Sequence, residues 1–467
     1  MSIRESSSKQ QGLTPFELKA GSSIAMIYGI RMLGLFMILP VFSIYAENLA
    51  DATPLLIGIA LGIYGLTQGL LQIPFGMLSD KIGRKPVIAG GLIVFAIGSV
   101  IAAYAESMTG IIIGRAIQGA GAIAAALMAL AADLSREEHR LKIMSMIGIN
   151  IGVAFALAMV LGPVINAWLG IKGIFLITAV LAVMGIVVLF KVVPKANSLS
   201  FHRDAQLVPS DLSSVFTNTQ LLRLDWGIFT LHAVLMAVFI AIPLMLEKAG
   251  LESLEHGWLY APVFLVSIVL MVPFIIIAEA KRRMKQVFVG AIAALTISMM
   301  VMLYGAHNLT FIAIGLALFF TAFNLLEASL PSLVAKISPA DRKGTAMGVY
   351  SSSQFLGAFA GGVFGGWAYG EGSEMLLFWV CIILVASWLL LAATMKSPRY
   401  VSTYLLNIGG IAEQEVRPMV ATLVQIRGVA EATIIAEEGV AYLKVDLKAL
   451  DMDTLLSYSK STSEPED

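Results

Sequence analysis

The chain has 467 residues, of which 58% are apolar and 13% charged, with 31 basic and 31 acidic side chains in balance. Soluble globular proteins run near about 45–50% apolar and about 25% charged, so water is excluded as the main solvent, and the absence of a basic surplus gives no footing for a nucleic-acid partner. The single cysteine, Cys381, excludes an intrachain disulfide and a thiolate metal cluster.

Residues 1–19 are polar through Gln11 and lack the apolar run and cleavage site of a signal peptide, so they read as a cytoplasmic segment ahead of a retained first helix. Twelve apolar stretches follow, at approximately 20–46, 55–78, 86–105, 109–132, 142–168, 172–191, 221–246, 255–279, 286–305, 309–335, 344–369 and 374–395. Each is near the roughly 20 residues that cross a hydrocarbon core about 30 Å thick. The fold class expected is therefore an all-α polytopic membrane protein. Between the sixth and seventh stretches lies the polar segment 195–220, which reads as a linker between six-helix bundles at 20–194 and 221–396.

Lys and Arg alternate sides along these stretches. Lys19, Lys81, Arg84, Lys85, Arg136, Arg140, Lys142, Lys191, Lys195, Lys281, Arg282, Arg283, Lys285, Lys336, Arg342 and Lys343 share one side. The opposite loops hold only Lys172 and Lys248, among acids such as Glu47, Asp51, Glu106, Glu252, Glu371 and Glu374. The positive-inside rule places the basic side, and with it both termini, in the cytoplasm, across a bacterial inner membrane.

The two halves share landmarks at a constant offset of 199 residues: Pro74 with Pro273, Arg84 with Arg283, Gly162 with Gly361 and Trp168 with Trp367. Four landmarks on one offset indicate an internal repeat. At the end of the second stretch, Gly76, Asp80, Gly83, Arg84 and Lys85 fall in one short loop segment. Gly76 permits close helix packing and Gly83 a tight turn. The N-terminal dipole of the eleventh helix, near Gly344, is placed to attract Asp80, which would latch the halves together. By the same logic Glu279, with Arg283, would face the start of the fifth helix near Leu141. Arg84 needs an anion, and Asp133 is the candidate. The competing reading is that these charges only set topology.

This segment, Gly-x-x-x-Asp-x-x-Gly-Arg-Lys, resembles the loop motif of the major facilitator superfamily, and the resemblance covers about residues 15–400. It implies two pseudo-symmetric six-helix bundles that rock in proton-coupled alternating access. Arg115, Gln118 and Gly119 in the fourth stretch are similar to the family's second motif, which is associated with proton transfer. Gly162 and Pro163 in the fifth are similar to the motif of drug:proton antiporters, although Asn166 and Ala167 stand where that motif has glycines. Physically, Gly162 and Pro163 should weaken the helix and permit a bend.

Charged and polar side chains within spans are costly and mark cavities or partners. Arg31 is deep in the first stretch and reads as the best cavity-facing charge, whereas Arg115 either faces a cavity or snorkels to the interface. Gln68, His232, Asn324 and Gln354 are either cavity-lining groups or interhelical hydrogen-bond partners. Glu327 can take up and release a proton, and so couple transport to protons.

After Lys396 the composition becomes that of a soluble domain at 400–459, with strands near Tyr404–Ile408, Thr433–Ala436 and Val440–Leu447 and helices near Glu413–Ile426 and Met452–Ser459, then a disordered tail at 460–467. In the last strand Ala441, Leu443, Val445 and Leu447 alternate with Tyr442, Lys444 and Asp446, the pattern of a half-buried sheet. This small α+β unit looks like a truncated ferredoxin-like domain and resembles heavy-metal-associated domains, but Asn407-Ile408-Gly409-Gly410 replaces their Cys-x-x-Cys. It is open to regulatory contact with the transport core, to a small ligand, or to pairing with a second copy.

No P-loop, nucleophile–base pair or metal site appears, so the expectation is a non-enzyme that needs no cofactor. It would exchange protons for a small apolar or amphipathic solute across the lipid bilayer. The competing class is a transporter-like sensor that signals through its C-terminal domain.

Overall fold

The computed structural model describes residues 12–46, 49, 51–195, 212–339, 342–397, 402–436, 439–446 and 449–459. Most of the expected linker, the first eleven residues and the terminal tail lie outside the described residues. All twelve apolar stretches lie on helix: α1 (Pro15–Phe36), α2 (Phe42–Ala46), α3 (Pro54–Ile82), α4 (Arg84–Ala103), α5 (Met108–Ala120), α6 (Ala124–Asp133), α7 (Glu137–Lys191), then a short α8 (Leu212–Thr217), α9 (Thr219–Lys248), α10 (His256–Ala280), α11 (Met284–Tyr304), α12 (Leu309–Ile337) and α13 (Lys343–Ala393). Among the described residues nine helical segments are long and apolar enough to cross a membrane. One of these, Lys142–Lys191, holds both the fifth and sixth stretches.

Helix starts follow their caps. Thr14 and Glu17 form a reciprocal capping box at α1, and the side chains of Thr53, Ser107, Asn218 and Asn308 cap α3, α5, α9 and α12. Two expected single spans are each made of two helices. The first is interrupted over residues 37–41, where Pro40 cannot donate to the helical ladder, and the fourth over 121–123 after Gly121. At Gly162-Pro163 α7 keeps its helical assignment, and the chain leaves helical backbone only at Gly170, whose φ of 65° and ψ of −178° favour glycine.

The repeat is visible in the packing. Gly162 lies against the interrupted part of the first span, where a Cβ would collide with the Met37 carbonyl. Gly361, its partner by offset, lies against α9, where a Cβ would collide with the Ala233 carbonyl.

Contact between the halves is unequal along their length. One apolar core joins the C-terminal half to Met37, Leu61, Met108 and Phe155 of the N-terminal half, all toward the end of the bundle opposite the 79–85 loop (the far end). A second core, with Ile24, Leu92, Leu130 and Leu189, belongs to the N-terminal half at the end that carries that loop (the terminal end). The halves thus close on each other at the far end. Exposed aromatics collect there too: Tyr104, Trp168, Trp258, Tyr304, Trp367 and Trp379, the placement of an interfacial aromatic belt.

The C-terminal segment folds as β1 (Ser402–Asn407), α14 (Glu413–Gln425), β2 (Val429–Ile435), β3 (Val440–Val445) and α15 (Met452–Leu456), with an antiparallel sheet ordered β1-β3-β2. β2 begins four residues earlier than expected, across an irregularity between Val429 and Glu431. The alternation in β3 does not leave one face to water: Tyr442 and Lys444 are buried along with Ala441, Leu443 and Val445. The reason is tertiary, because Lys444 donates to the carbonyls of Lys336 (3.0 Å) and Ser338 at the end of α12, and Asp446 makes a paired salt bridge with Arg282 (2.9 and 3.1 Å).

Candidate functional site

At the terminal end, Gly83 takes a φ of 97° and turns α3 directly into α4. That turn presents Arg84 inward. Its Nε donates to Asp133 Oδ2 at 3.0 Å, and its Nη1 donates to Ser79 Oγ at 2.9 Å and to the Asp80 carboxylate. One guanidinium therefore ties the ends of α3, α4 and α6, a charge-assisted arrangement stronger than neutral bonds. Lys85 donates to the Val193 carbonyl at 2.8 Å. A Cβ at Gly76 would lie 3.3 Å from Ala125, so this glycine sits at a close approach to α6.

The cross-half contacts expected of this loop are not formed in this conformation. Among the described residues Asp80 is bonded to Arg84 rather than to the start of α13, and Glu279 to Lys336 of α12 at 3.0 Å rather than to the start of α7. The closure of the halves at the far end accounts for this.

The second-half loop is also built differently. Position 282, equivalent to Gly83, is an arginine held at a φ of 52°, a conformation that costs a non-glycine residue roughly 1–2 kcal/mol. Arg282 is anchored by Asp446. The position equivalent to Asp133 is Ser332, and Arg283 is exposed.

The middle of the N-terminal half holds a cluster of two buried cations. Arg31 is 1% exposed, and its Nη2 donates to Gln68 Oε1 at 2.6 Å and to the Gly121 carbonyl at 3.0 Å. That carbonyl sits at the interruption between α5 and α6. Arg115 is 2% exposed and does not snorkel: its Nε and Nη2 donate to the carbonyls of Ala60 and Leu61 at 3.1 Å, and its Nη1 to Gln118 Oε1 at 3.3 Å. The Tyr64 ring lies 5.8 Å from the Arg31 guanidinium carbon and 5.6 Å from that of Arg115, a cation–π arrangement. Gln118 also donates to Ser99 at 2.8 Å. A Cβ at Gly119 would collide with the Tyr64 carbonyl, so this glycine allows α5 to approach α3. Arg31 is buried in this conformation, with Nη2 held by Gln68 and the Gly121 carbonyl and with Nε and Nη1 left without hydrogen-bond partners.

In the C-terminal half three separately predicted residues meet. The Gln354 amide nitrogen lies 2.9 Å from His232 Nε2 and donates to Glu327 Oε1 at 3.2 Å, with His232 Nε2 3.8 Å from Glu327 Oε2. His232 Nδ1 is 3.3 Å from the Ile228 carbonyl. All these bonds are satisfied when Nδ1–H donates to the carbonyl and Nε2 accepts from the amide. The Glu327 side chain is 36% exposed, whereas its Oε2 is covered and without a hydrogen-bond partner. Asn324, one turn away, donates instead to Ser267 at 3.4 Å.

A further set of residues escaped the sequence reading. Gly58, Gly62, Gly65 and Gly69 line α3 where it crosses α13, and a Cβ at Gly58 would collide with the carbonyl of Gly362, one at Gly65 with that of Phe355. Ser352 Oγ donates to the Gly69 carbonyl at 3.1 Å. Gly257, at the same 199 offset from Gly58, lies where α10 crosses α7, with its Cβ direction 3.2 Å from the Val160 carbonyl. The signal was present as glycines spaced four, three and four apart, one helical face.

The family model of the Major Facilitator Superfamily matches residues 24–362. The chain is 47% identical over 437 residues to the inner membrane transport protein YajR of Escherichia coli K12, covering 93% of this chain and 96% of that one. It is 25% identical over 341 residues to the multidrug resistance protein MdtH of Aeromonas hydrophila subsp. hydrophila, covering 72% and 84%. The solved structure of a bacterial homologue of the human lysosomal transporter Spinster shares the fold with a TM-score of 0.66 at 14% identity, over 82% of this chain and 98% of that one. A family match across both halves and a relative similar over nearly the full length lead to one conclusion: the chain belongs to the Major Facilitator Superfamily and is a multi-pass membrane transporter, not an enzyme.

Proposed function

We propose that this chain is a proton-coupled antiporter in which twelve spans form two bundles that alternate access to a central path, exporting a small apolar or amphipathic solute. The observation that carries the reading is the meeting of Glu327, Gln354 and His232 from α12, α13 and α9. A carboxyl half open on one side and hydrogen-bonded on the other can change protonation as its surroundings change, and Gln354, bonded to both Glu327 and His232, ties that change to α9. The names of YajR and MdtH, a transport protein of the inner membrane and a multidrug resistance protein, support transport of this kind. The terminal end is the cytoplasmic one on the distribution of Lys and Arg, and the present conformation is closed on the outer side. Arg84, Asp80 and Asp133 form the gate on the inner side, with Asp80 free to exchange Arg84 for the start of α13 when the inner ends meet.

A screen of amphipathic dyes in cells with and without the protein supplies a substrate for proteoliposomes. There, dye movement should follow an imposed pH gradient, and Glu327→Gln should leave it indifferent to that gradient. Wild-type movement that ignores the gradient would sink proton coupling.

The sensor reading draws on the docking of β3 against α12 and Arg282, and the C-terminal unit is ferredoxin-like on this view. Transport that persists when residues 400–467 are deleted makes that unit an accessory domain.

A further inference from the structure

We propose that Asp225 is a second proton-exchanging carboxyl, linked to Glu327 through the Tyr350 hydroxyl, so that protons reach the central cluster from the terminal end of the bundle. The inference rests on the reading of Glu327 as the coupled group.

Asp225 lies near the start of α9, is 7% exposed, and has a covered Oδ2 with no hydrogen-bond partner. No cation compensates it among the described residues. Arg223, two residues earlier, directs its Nη1 to the Thr394 carbonyl at 3.1 Å, and the neighbouring α8 carries no charged side chain. An uncompensated carboxylate away from water is costly, which a structural role does not explain.

The position is aligned with the central cluster. His232 is seven residues further along α9, two turns at 3.6 residues per turn, and so on the same face. On α13, Tyr350 is one turn before Gln354, again on the same face. These two helices run side by side at backbone contact, since Cβ atoms at Gly357 and Gly361 would collide with the carbonyls of Phe229 and Ala233. The Tyr350 hydroxyl is buried without a hydrogen-bond partner and lies within electrostatic range of both Glu327 and Asp225. Buried polar groups are rarely left unpaired. An acceptor and a hydroxyl along one strip suit a chain of hydrogen bonds, with buried water where the groups do not meet directly.

The titratable and charged groups around this path are Arg223 and His232 from α9, Tyr350 from α13, Glu327 from α12 and the buried Tyr28 from α1, which faces Glu327. The step moves one proton. The O–H bond on Asp225 breaks and its proton passes through an intervening water to a lone pair of the Tyr350 oxygen, which releases its own proton through a second water, and an O–H bond forms on the Glu327 carboxylate. Tyr350 ends neutral, and the negative charge moves to Asp225, which is recharged from the terminal-end solvent.

Infrared difference spectroscopy tests this on the full-length protein in lipid vesicles, with a pH jump as the only stimulus. The wild type should show two buried carboxyl bands. Asp225→Asn should lose one and slow hydrogen–deuterium exchange of the Glu327 band by at least about tenfold. Tyr350→Phe should keep both bands and slow the same exchange, and Asp225→Glu should restore it, which separates the relay from a folding defect. Wild-type exchange of the Glu327 band in both Asp225→Asn and Tyr350→Phe overturns the relay while leaving Glu327 as the coupled group. Absence of any band removed by Glu327→Gln overturns the coupled group itself, and the relay with it.

Discussion

A side chain added at Gly58 should move the protein between conformations. In the present structure a Cβ there collides with the Gly362 carbonyl and comes within 3.0 Å of the Gly366 Cα, while a Cβ at Gly362 meets the Gly62 backbone at 3.0 Å. The obstacles are backbone atoms, which no rotamer change relieves, so α3 and α13 must separate. Overpacking of this kind costs about 1–3 kcal/mol. Because the clash exists only while the halves are closed at the far end, nearly all of that cost falls on one conformation. The ratio of the two populations should then change by about 5- to 150-fold. Spin labels at Tyr104 and Tyr304, exposed far-end positions in opposite halves, allow pulsed distance measurement across the closure, after the buried Cys381 is replaced by serine. Gly58→Leu should show a longer-distance population that the parent lacks. Gly90→Leu, at a glycine with open space around it, should not. A folded, monodisperse Gly58→Leu protein with the parental distance distribution would refute the argument.

Glu17 offers a pH test. Its carboxylate accepts bonds from the Thr14 amide at 2.9 Å and from the Arg136 backbone, Nε and Nη2 at 3.0–3.1 Å, with His139 Nδ1 at 3.0 Å. Burial acts to raise its pKa, but the bonds from Arg136, then Thr14 and His139, outweigh it and hold the group well below the usual carboxylate range. A depressed folded value means that the contribution is complete above the unfolded value of about 4.3 and is lost as pH falls through the folded one. Glu17→Gln should therefore cost about 1.5–3 kcal/mol at neutral pH, and the gap in melting temperature should narrow on acidification below about pH 4; a gap that widens contradicts the sign. Lys444 should matter more to domain docking than Asp446. Lys444 is buried against the carbonyl end of α12, where the helix dipole favours a cation, and losing hydrogen bonds to a charged group costs about 1.5–3 kcal/mol. The Arg282–Asp446 pair is partly exposed and contributes at most about 1 kcal/mol. Lys444→Met should expose the segment after residue 397 to limited proteolysis more than Asp446→Ala does; the reverse order refutes the ranking.

Membrane character, the repeat and the loop around Arg84 were legible in the chain because each rests on local pattern. Hydropathy depends on composition over about 20 residues, a repeat on a constant offset, and the turn at Gly83 on one residue's backbone freedom. Asp133 could be named as the partner of Arg84 because both end helices at the same side of the bundle. The interruptions were not read from the sequence: 20–46 stood as one span although Pro40 lies within it, and 109–132 as another, whereas Gly162 lies against the backbone at Met37 within a helical stretch of α7.

What the sequence could not decide is which of its scattered polar groups meet. Gln354, Glu327 and His232 stand on three different helices, and their union depends on helix rotation and crossing, which hydropathy does not encode. The same is true of Arg31, whose enclosure depends on a carbonyl released by the interruption of another helix. It holds for β3, whose period-2 pattern is compatible with one wet face until the sheet docks on α12. Sequence by itself determined that this chain crosses a membrane as two related halves; the tertiary structure decided where those halves touch. It did so through backbone contact along a glycine-lined face, an interaction that leaves no side chain to read.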